Sequence, residues 1–346
     1  MSSSRNISIA AHIIPETGPG VQLPAWQTAL AEAFNEPQSL LSYLQIKPEN
    51  LAERQLAQHQ FSLKVPRHYA DLMVKGDPHD PLLRQILPCG EELVDRPGFI
   101  DDPVGDLQAK QQAGLLHKYQ GRVLILTTGA CGVHCRYCFR RHYPYQNGTA
   151  TPAQWQSILD TIRNQSSIQE VILSGGDPLM IHDPRLARMV AELQALPQLK
   201  RLRLHSRLPV VLPQRITPQL LELLSSNRLQ SVMVLHTNHP NELSPALAEA
   251  CEKMRSAGIT LLNQSVLLKG VNNDAETLVR LSEGLFEIGV LPYYLHLLDR
   301  VSGSGHFEVE PDRIESLKGQ LLQQLPGYLV PRMVREIAGE ASKTPV

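Results

Sequence analysis

The feature that most limits how this chain folds is a regular alternation that begins near residue 121. Short apolar runs at 122–128, 170–174, 201–205, 231–236, 259–266 and 290–297 have strand length. Between them, 152–163, 184–196, 218–225, 245–257 and 275–288 carry apolar residues at helical spacing. In the first of these, Trp155, Ile158, Leu159 and Ile162 share one face. Strands that alternate with helices pair in parallel, because a parallel neighbour needs a crossover long enough to hold a helix. The expected class is α/β, with the loops after the strands gathered on one rim. Six units rather than eight give a partial (β/α)6 barrel with an open side; an open doubly wound sheet is the alternative.

Upstream, 25–60 looks helical, with Trp26, Leu30, Ala33 and Phe34 in phase, a break at Asn35-Glu36-Pro37 and a resumption at Leu40. Residues 66–73 read as a further helix that stops at Gly76-Asp77-Pro78. The expected organisation is a mostly helical N-terminal extension over 1–110, a core barrel over 111–330 and a C-terminal tail over 331–346. Residues 1–24 read as a loosely packed start without a signal-peptide core. No apolar run approaches the roughly 18 residues of a membrane helix. A net charge of −1 gives no electrostatic pull toward nucleic acid or membrane. Three of the five cysteines are clustered, which is no disulfide framework and fits a reducing cytoplasm. Cys89 and Cys251 stand alone and read as small packed apolar residues.

The loop after the first strand reads Cys131-Gly132-Val133-His134-Cys135-Arg136-Tyr137-Cys138. Structural zinc takes four protein ligands, and most iron–sulfur clusters take four thiolates. A trio of thiolates on a cubane leaves one iron open for a small molecule. A zinc knuckle with His134 as fourth ligand is the competing reading. After the second strand comes Ser174-Gly175-Gly176-Asp177-Pro178, where glycines let a backbone edge and its amides approach a ligand, or make an ordinary turn. The next three strands end in His205-Ser206-Arg207, His236-Thr237-Asn238-His239 and Asn263-Gln264-Ser265, a polar mouth. Arg140 and Arg141 follow the cysteines and suit carboxylate capture, or form a solvated basic turn. Asp299 ends the sixth strand, placed to bind a cation or cap a turn. Lys343, beside the C-terminus, reads on its own as a solvated tail residue.

The cysteine spacing resembles the radical S-adenosylmethionine superfamily. Over about 65–346 the chain also resembles one family within it, the lysine 2,3-aminomutases, in the runs 80–85, 131–141, 174–179, 238–242, 263–268, 292–294 with Asp299, and 342–345. The resemblance implies a radical-SAM barrel with a short cofactor-binding tail. It implies a 4Fe-4S cluster on Cys131, Cys135 and Cys138, and S-adenosyl-L-methionine contacted by Gly175, Gly176, Asp177, His236 and Gln264. It implies pyridoxal 5′-phosphate held as a Schiff base by Lys343, with Tyr119 and Arg122 near its ring and phosphate. The implied substrate is L-lysine, its carboxylate on Arg140 and its distal ammonium on Asp299 and Glu336. The implied reaction is an isomerisation of (S)-α-lysine to (R)-β-lysine by a 5′-deoxyadenosyl radical, fed by a flavodoxin- or ferredoxin-type electron donor.

Two departures refine that expectation. The tail's glycine run is reduced to Gly339-Glu340-Ala341-Ser342, and Glu336 stands where the family often has Asp. Longer members carry a C-terminal extension with zinc-binding cysteines; this chain ends three residues after Lys343, and Asp274 stands where one such cysteine is found. The short form resembles the bacterial enzyme that supplies β-lysine for elongation factor P, attached there by a separate lysyl ligase. Free-lysine metabolism is the alternative destination. A non-enzymatic iron–sulfur or zinc module is the alternative of a different class.

Overall fold

The structure, a computed structural model, describes residues 24–346, so the expectation for the first residues of the chain lies outside it. Ten strands make one sheet in sequence order: β1 (Lys110–Gln112), β2 (Leu115–Tyr119), β3 (Arg122–Thr128), β4 (Glu170–Gly175), β5 (Arg201–Ser206), β6 (Gln230–His236), β7 (Thr260–Val266), β8 (Leu291–His296), β9 (Arg332–Arg335) and β10 (Thr344–Pro345). Pairing is parallel from β3 through β9. It is antiparallel for β1 with β2, β2 with β3, and β9 with β10. The first and last strands are not neighbours, so the sheet is a partial barrel with an open side. The parallel strands from β3 to β8 match the boundaries expected from sequence to within one residue.

Thirteen helices accompany the sheet among the described residues. Five belong to the N-terminal extension: α1 (Ala25–Ala31), α2 (Pro37–Tyr43), α3 (Leu51–Gln60), α4 (Arg67–Asp71) and α5 (Pro81–Arg84). The others are α6 (Tyr145–Gly148), α7 (Pro152–Arg163), α8 (Asp183–Gln194), α9 (Leu208–Val211), α10 (Pro218–Ser225), α11 (Pro245–Ser256), α12 (Ala275–Glu287) and α13 (Pro311–Gln324). The crossover helices start where sequence rules put them: Thr217, Ser244 and Asp274 cap α10, α11 and α12 through their side-chain oxygens. The Asp274 carboxylate accepts from Thr277 N at 2.8 Å. No described helix is long and apolar enough to cross a membrane.

The sequence reading missed the flanking strands and α13. For α13 the signal existed, since Ile314, Leu317 and Leu321 lie on one buried face behind Pro311 at the first turn. The flanking strands β1, β9 and β10 are only two to four residues long. Segments that short carry no readable alternation and are held by pairing, Thr344 opposite Arg335 and Pro345 opposite Val334.

Two large apolar clusters hold the barrel, beside a small third one of Leu268, Val271, Leu298 and Phe307. The larger joins Trp26, Leu40, Tyr69 and Leu82 of the extension to Ile125, Leu173, Leu204 and Leu235 of the sheet. Each fully buried leucine of this kind contributes about 1.5–3 kcal/mol. The smaller cluster seats α13 and β9 through Leu295, Leu317, Leu321 and Met333.

Candidate active site

The cysteine loop leaves β3 and is fixed by the end of β4. Gly176 N donates to Thr128 O at 2.7 Å and Asp177 N to Ala130 O at 2.8 Å. A Cβ on Gly175 would lie 2.4 Å from Thr128 O, and one on Gly176 would lie 2.3 Å from Ala130 O. The glycines thus serve a backbone-to-backbone approach, and the amides of Gly176 and Asp177 are already engaged. The buried Asp177 carboxylate accepts from Ser206 Oγ (2.8 Å), Leu179 N (3.0 Å), Arg207 N (2.9 Å) and Leu208 N (3.0 Å). It ties the end of β4 to the end of β5. Burial pushes Asp177 up to about 6 against those bonds.

The N-terminal extension grips the same loop from the other side. Arg136, fully buried between Cys135 and Cys138, pairs with Glu92 through Nε (2.8 Å) and Nη2 (2.5 Å). Its Nη1 donates to Phe61 O at 2.6 Å. Arg141 reaches Glu92 at 2.8 Å as well. His134 is within 2.9 Å of Ser62 O through Nδ1, and burial pushes it down to about 4. That bond ties the Nδ1 edge of the ring to Ser62.

The three thiols suit a cluster. Burial and then its neighbour Cys138 push Cys131 well up, while burial and then Cys135 push Cys138 up to about 11. The thiols oppose one another's ionisation because they are close and desolvated, a penalty that iron cations at their centre remove. Among the described residues no three His, Cys, Asp or Glu side chains converge as ligands of a single ion. A cubane asks each thiolate to reach a different iron, so one point of convergence is not required.

Inside the rim lies a chain of charges. Arg140 donates from Nε to Asp106 Oδ2 (2.6 Å) and from Nη1 to Ser174 Oγ (3.2 Å). Asp106 also meets Lys118 Nζ at 2.6 Å, and Lys118 reaches Glu336 at 3.1 Å. Glu336 closes the chain on Lys343 Nζ. Burial alone would raise Glu336, but Lys343 and Lys118 hold it down to about 2. Asp299 faces the same groups: burial, then the Glu336 charge, push it up to about 7 against the pull of Lys343 and Lys118. Lys343 is no frayed residue, since the β9–β10 hairpin brings it back over the Tyr294 ring, 5.7 Å from the centroid.

Tyr119 and Arg122 stand together on this wall, the guanidinium 4.6 Å from the Tyr119 ring centroid. Burial and then Glu336 push the Tyr119 phenol up. Across the mouth, Gln264 Nε2 lies 3.0 Å from His236 Nε2, so the two side chains expected to contact a cofactor also pair with each other. Burial pushes His236 and His296 down to about 3, and both are neutral. His205 Nε2 and His296 Nε2 are buried with no hydrogen-bond partner among the described residues. Lys343 is among the charges that depress both rings. Buried nitrogens without a partner ask for a polar ligand, and Tyr119, Arg122 and Lys343 carry groups that would suit a phosphorylated aldehyde.

The polar strand ends therefore divide by role. His205, His236 and Gln264 line the mouth, whereas Ser206, Arg207, Asn238 and Asn263 are held in buried bonds behind it. Sequence reasoning missed Glu92, Asp106 and Lys118. Each is an isolated charge in an irregular or short segment, and only the fold brings it to the rim.

The Radical SAM superfamily profile matches residues 125–281. The chain is similar to L-lysine 2,3-aminomutase of Escherichia coli (strain K12), 47% identical over 97% of this chain and 98% of that protein. It is 47% identical to the Haemophilus influenzae L-lysine 2,3-aminomutase over 92% of this chain and 94% of that one. With the Clostridium subterminale protein of the same name it shares 35% identity over 93% of this chain and 77% of its relative. Similarity at that level along almost the whole chain, with the cysteine loop inside the matched segment, decides membership: the chain belongs to the L-lysine 2,3-aminomutase family of radical SAM enzymes.

Proposed function

We propose that this protein converts L-lysine to (R)-β-lysine by a radical 2,3-amino shift, with pyridoxal phosphate on Lys343 and a 4Fe-4S cluster on Cys131, Cys135 and Cys138. One observation carries the reading: Lys343, three residues from the end of the chain, lies in the barrel mouth on Glu336, in one charge network with Asp299 and Arg140. When bound, the cluster with S-adenosylmethionine supplies a hydrogen-abstracting deoxyadenosyl radical, and pyridoxal phosphate supplies a ring that delocalises the unpaired electron during nitrogen migration.

The protein's own residues do the rest. Arg140 keeps donors beyond those given to Asp106 and Ser174, and these meet the substrate carboxylate. Asp106 fixes the guanidinium plane so that the carboxylate arrives in one orientation. Glu336 and Asp299 hold the distal ammonium, and Glu336 also pairs with the Lys343 ammonium. Tyr119 and Arg122 hold the ring and phosphate of the cofactor, with Lys118 adding positive charge between Asp106 and Glu336. His236 and Gln264, neutral and paired, present polar edges to the adenosyl group.

Borohydride treatment followed by peptide mapping tests the lysine assignment. The reduced cofactor is expected on Lys343, and recovery on another lysine defeats it. Lys343→Ala should lose all turnover while keeping its iron. For destination, we propose supply of β-lysine to elongation factor P. This destination rests on the resemblance read from the sequence, while the relatives support the aminomutase chemistry. Intact-mass measurement of elongation factor P in a deletion strain decides it: loss of a lysyl-sized adduct supports the role, and an unchanged mass leaves free-lysine metabolism.

A further inference from the structure

Arg207 is a charged residue that no step above uses, although it contacts more of the molecule than any group in the mouth. It follows the last residue of β5 and is 4% exposed. Its Nη1 lies 2.7 Å from Cys135 Sγ and 2.5 Å from Tyr137 Oη. Its Nη2 donates to Glu242 Oε1 (2.5 Å), Gln85 Oε1 (2.7 Å) and Tyr69 Oη (2.9 Å). Its backbone N–H is fixed on Asp177. The guanidinium is thus polarised: one nitrogen faces a cysteine sulfur, the other faces a carboxylate and two neutral oxygens. The anion that compensates the cation stands on the far side from the sulfur.

We propose that Arg207 is a positioning residue that sets the reduction potential of the iron–sulfur cluster through its N–H···S bond to Cys135, with Glu242 holding the fork in place. This inference rests on the assignment of Cys135 as a cluster ligand. One-electron reduction places an extra negative charge on the cluster and its thiolates; no bond breaks, no proton moves, and an external one-electron donor supplies the electron. A donor and a positive charge against a ligand sulfur stabilise the reduced form more than the oxidised one, which raises the potential. In a buried site that electrostatic effect is weakly screened. The bond also reaches three other segments at once, since Tyr69, Gln85 and Glu242 lie in the extension and the loop after β6. Cluster potential and extension packing are therefore linked through one side chain.

The test is a redox titration of the anaerobically reconstituted full chain without S-adenosylmethionine, with dithionite as donor and the reduced cluster read by electron paramagnetic resonance. Iron and sulfide content reports on the cluster itself: a wild-type chain that takes up no iron defeats the ligand assignment rather than this inference. Arg207→Gln combined with Glu242→Gln removes both charges and leaves neither acid nor base buried alone. At the wild-type midpoint its ratio of reduced to oxidised cluster is expected to fall about tenfold, which is about 59 mV for a one-electron couple. Arg207→Lys keeps the charge balance with Glu242 but gives up the N–H on Cys135 Sγ, and should lower the midpoint by a smaller amount. A midpoint unchanged in the double variant at full iron content overturns the proposal, because a merely structural arginine would alter stability and leave the potential alone. Should the double variant not retain iron, Arg207→Lys decides, and an unmoved midpoint there overturns it equally.

Discussion

The two halves of the barrel rim are built on different physics. On the cysteine side, a loop of eight residues is clamped between the β4 turn and the N-terminal extension, with Glu92 and Arg136 both 0% exposed. Bonds there run to backbone carbonyls and to buried acids. On the tail side, Lys343 is 21% exposed and hangs on β10, two residues long, by its ion pair with Glu336. The first half needs rigidity, because cluster ligands must hold their geometry through electron transfer. On the proposed function, the second would have to release Lys343 from Glu336 for cofactor and substrate to enter. Partly exposed charge pairs at the end of a short hairpin suit that exchange, whereas a buried pair does not.

Removing an acid from each half should break or sharpen this contrast. Glu92→Gln leaves Arg136 and Arg141 buried without their carboxylate, and losing one partner of a buried pair costs about 3–5 kcal/mol. Glu336→Gln, at a carboxylate 14% exposed, should cost clearly less. Urea midpoints of the two variants decide it, and equal losses would mean the halves are held alike. Iron content should fall only in Glu92→Gln.

Asp299→Asn gives the next effect. It removes a charge at nearly constant shape, so it should weaken lysine recognition by about 1.5–3 kcal/mol, read as a raised KM with the cluster intact. An unchanged KM takes Asp299 out of the site.

The same residue sets a pH dependence with a definite sign. Its carboxyl, pushed up to about 7, is protonated in the free enzyme below neutrality and holds an ammonium only once ionised. kcat/KM for lysine should therefore climb as pH rises through about 7, and Asp299→Asn should flatten that limb. Stability runs the other way. A raised carboxyl contributes stability fully present below its ordinary value of 3.8 and lost as pH rises toward 7. Glu336, held down to about 2, contributes stability present above 4.5 and lost as pH falls toward 2.

The halves also differ in how far the sequence reveals them. The cysteine loop is legible because its three ligands are close in sequence, and β3 to β8 are legible because each strand is long enough to show its apolar pattern. The clamp is not legible: Glu92, Gln85 and Tyr69 lie far along the chain from Arg136 and Arg207, and nothing local marks them as partners. Gly175, Gly176 and Asp177 carried a visible motif, but whether a glycine pair approaches a ligand or another backbone depends on what the fold sets opposite. Here that is Thr128 and Ala130. On the tail side, residue-level reading gave Lys343 no role; only the resemblance singled it out. Short strands have no periodicity to read, and the charges that gather around Lys343 come from four separate segments: Asp106, Lys118, Asp299 and Glu336.

The smallest predicted effect tests how the tail is hung. Gly339 turns the chain between β9 and β10 with φ +86°, and a Cβ there would meet nothing within 4 Å. Gly339→Ala is therefore a pure backbone perturbation, costing about 1–2 kcal/mol for a side chain in left-handed conformation. Because β10 rests on few bonds, that cost should fall on hairpin docking rather than on the whole fold. The Val346 N–H, which donates to Met333 O at 3.1 Å, should lose about tenfold in hydrogen-exchange protection, the equivalent of about 1.4 kcal/mol. Amides of β4 and β5 should keep theirs. If protection falls evenly across the sheet, the tail is part of the global folding unit and the proposed division of the rim is wrong. If only the tail loosens, Lys343 should also exchange its cofactor faster, which release of bound pyridoxal phosphate on dilution would measure.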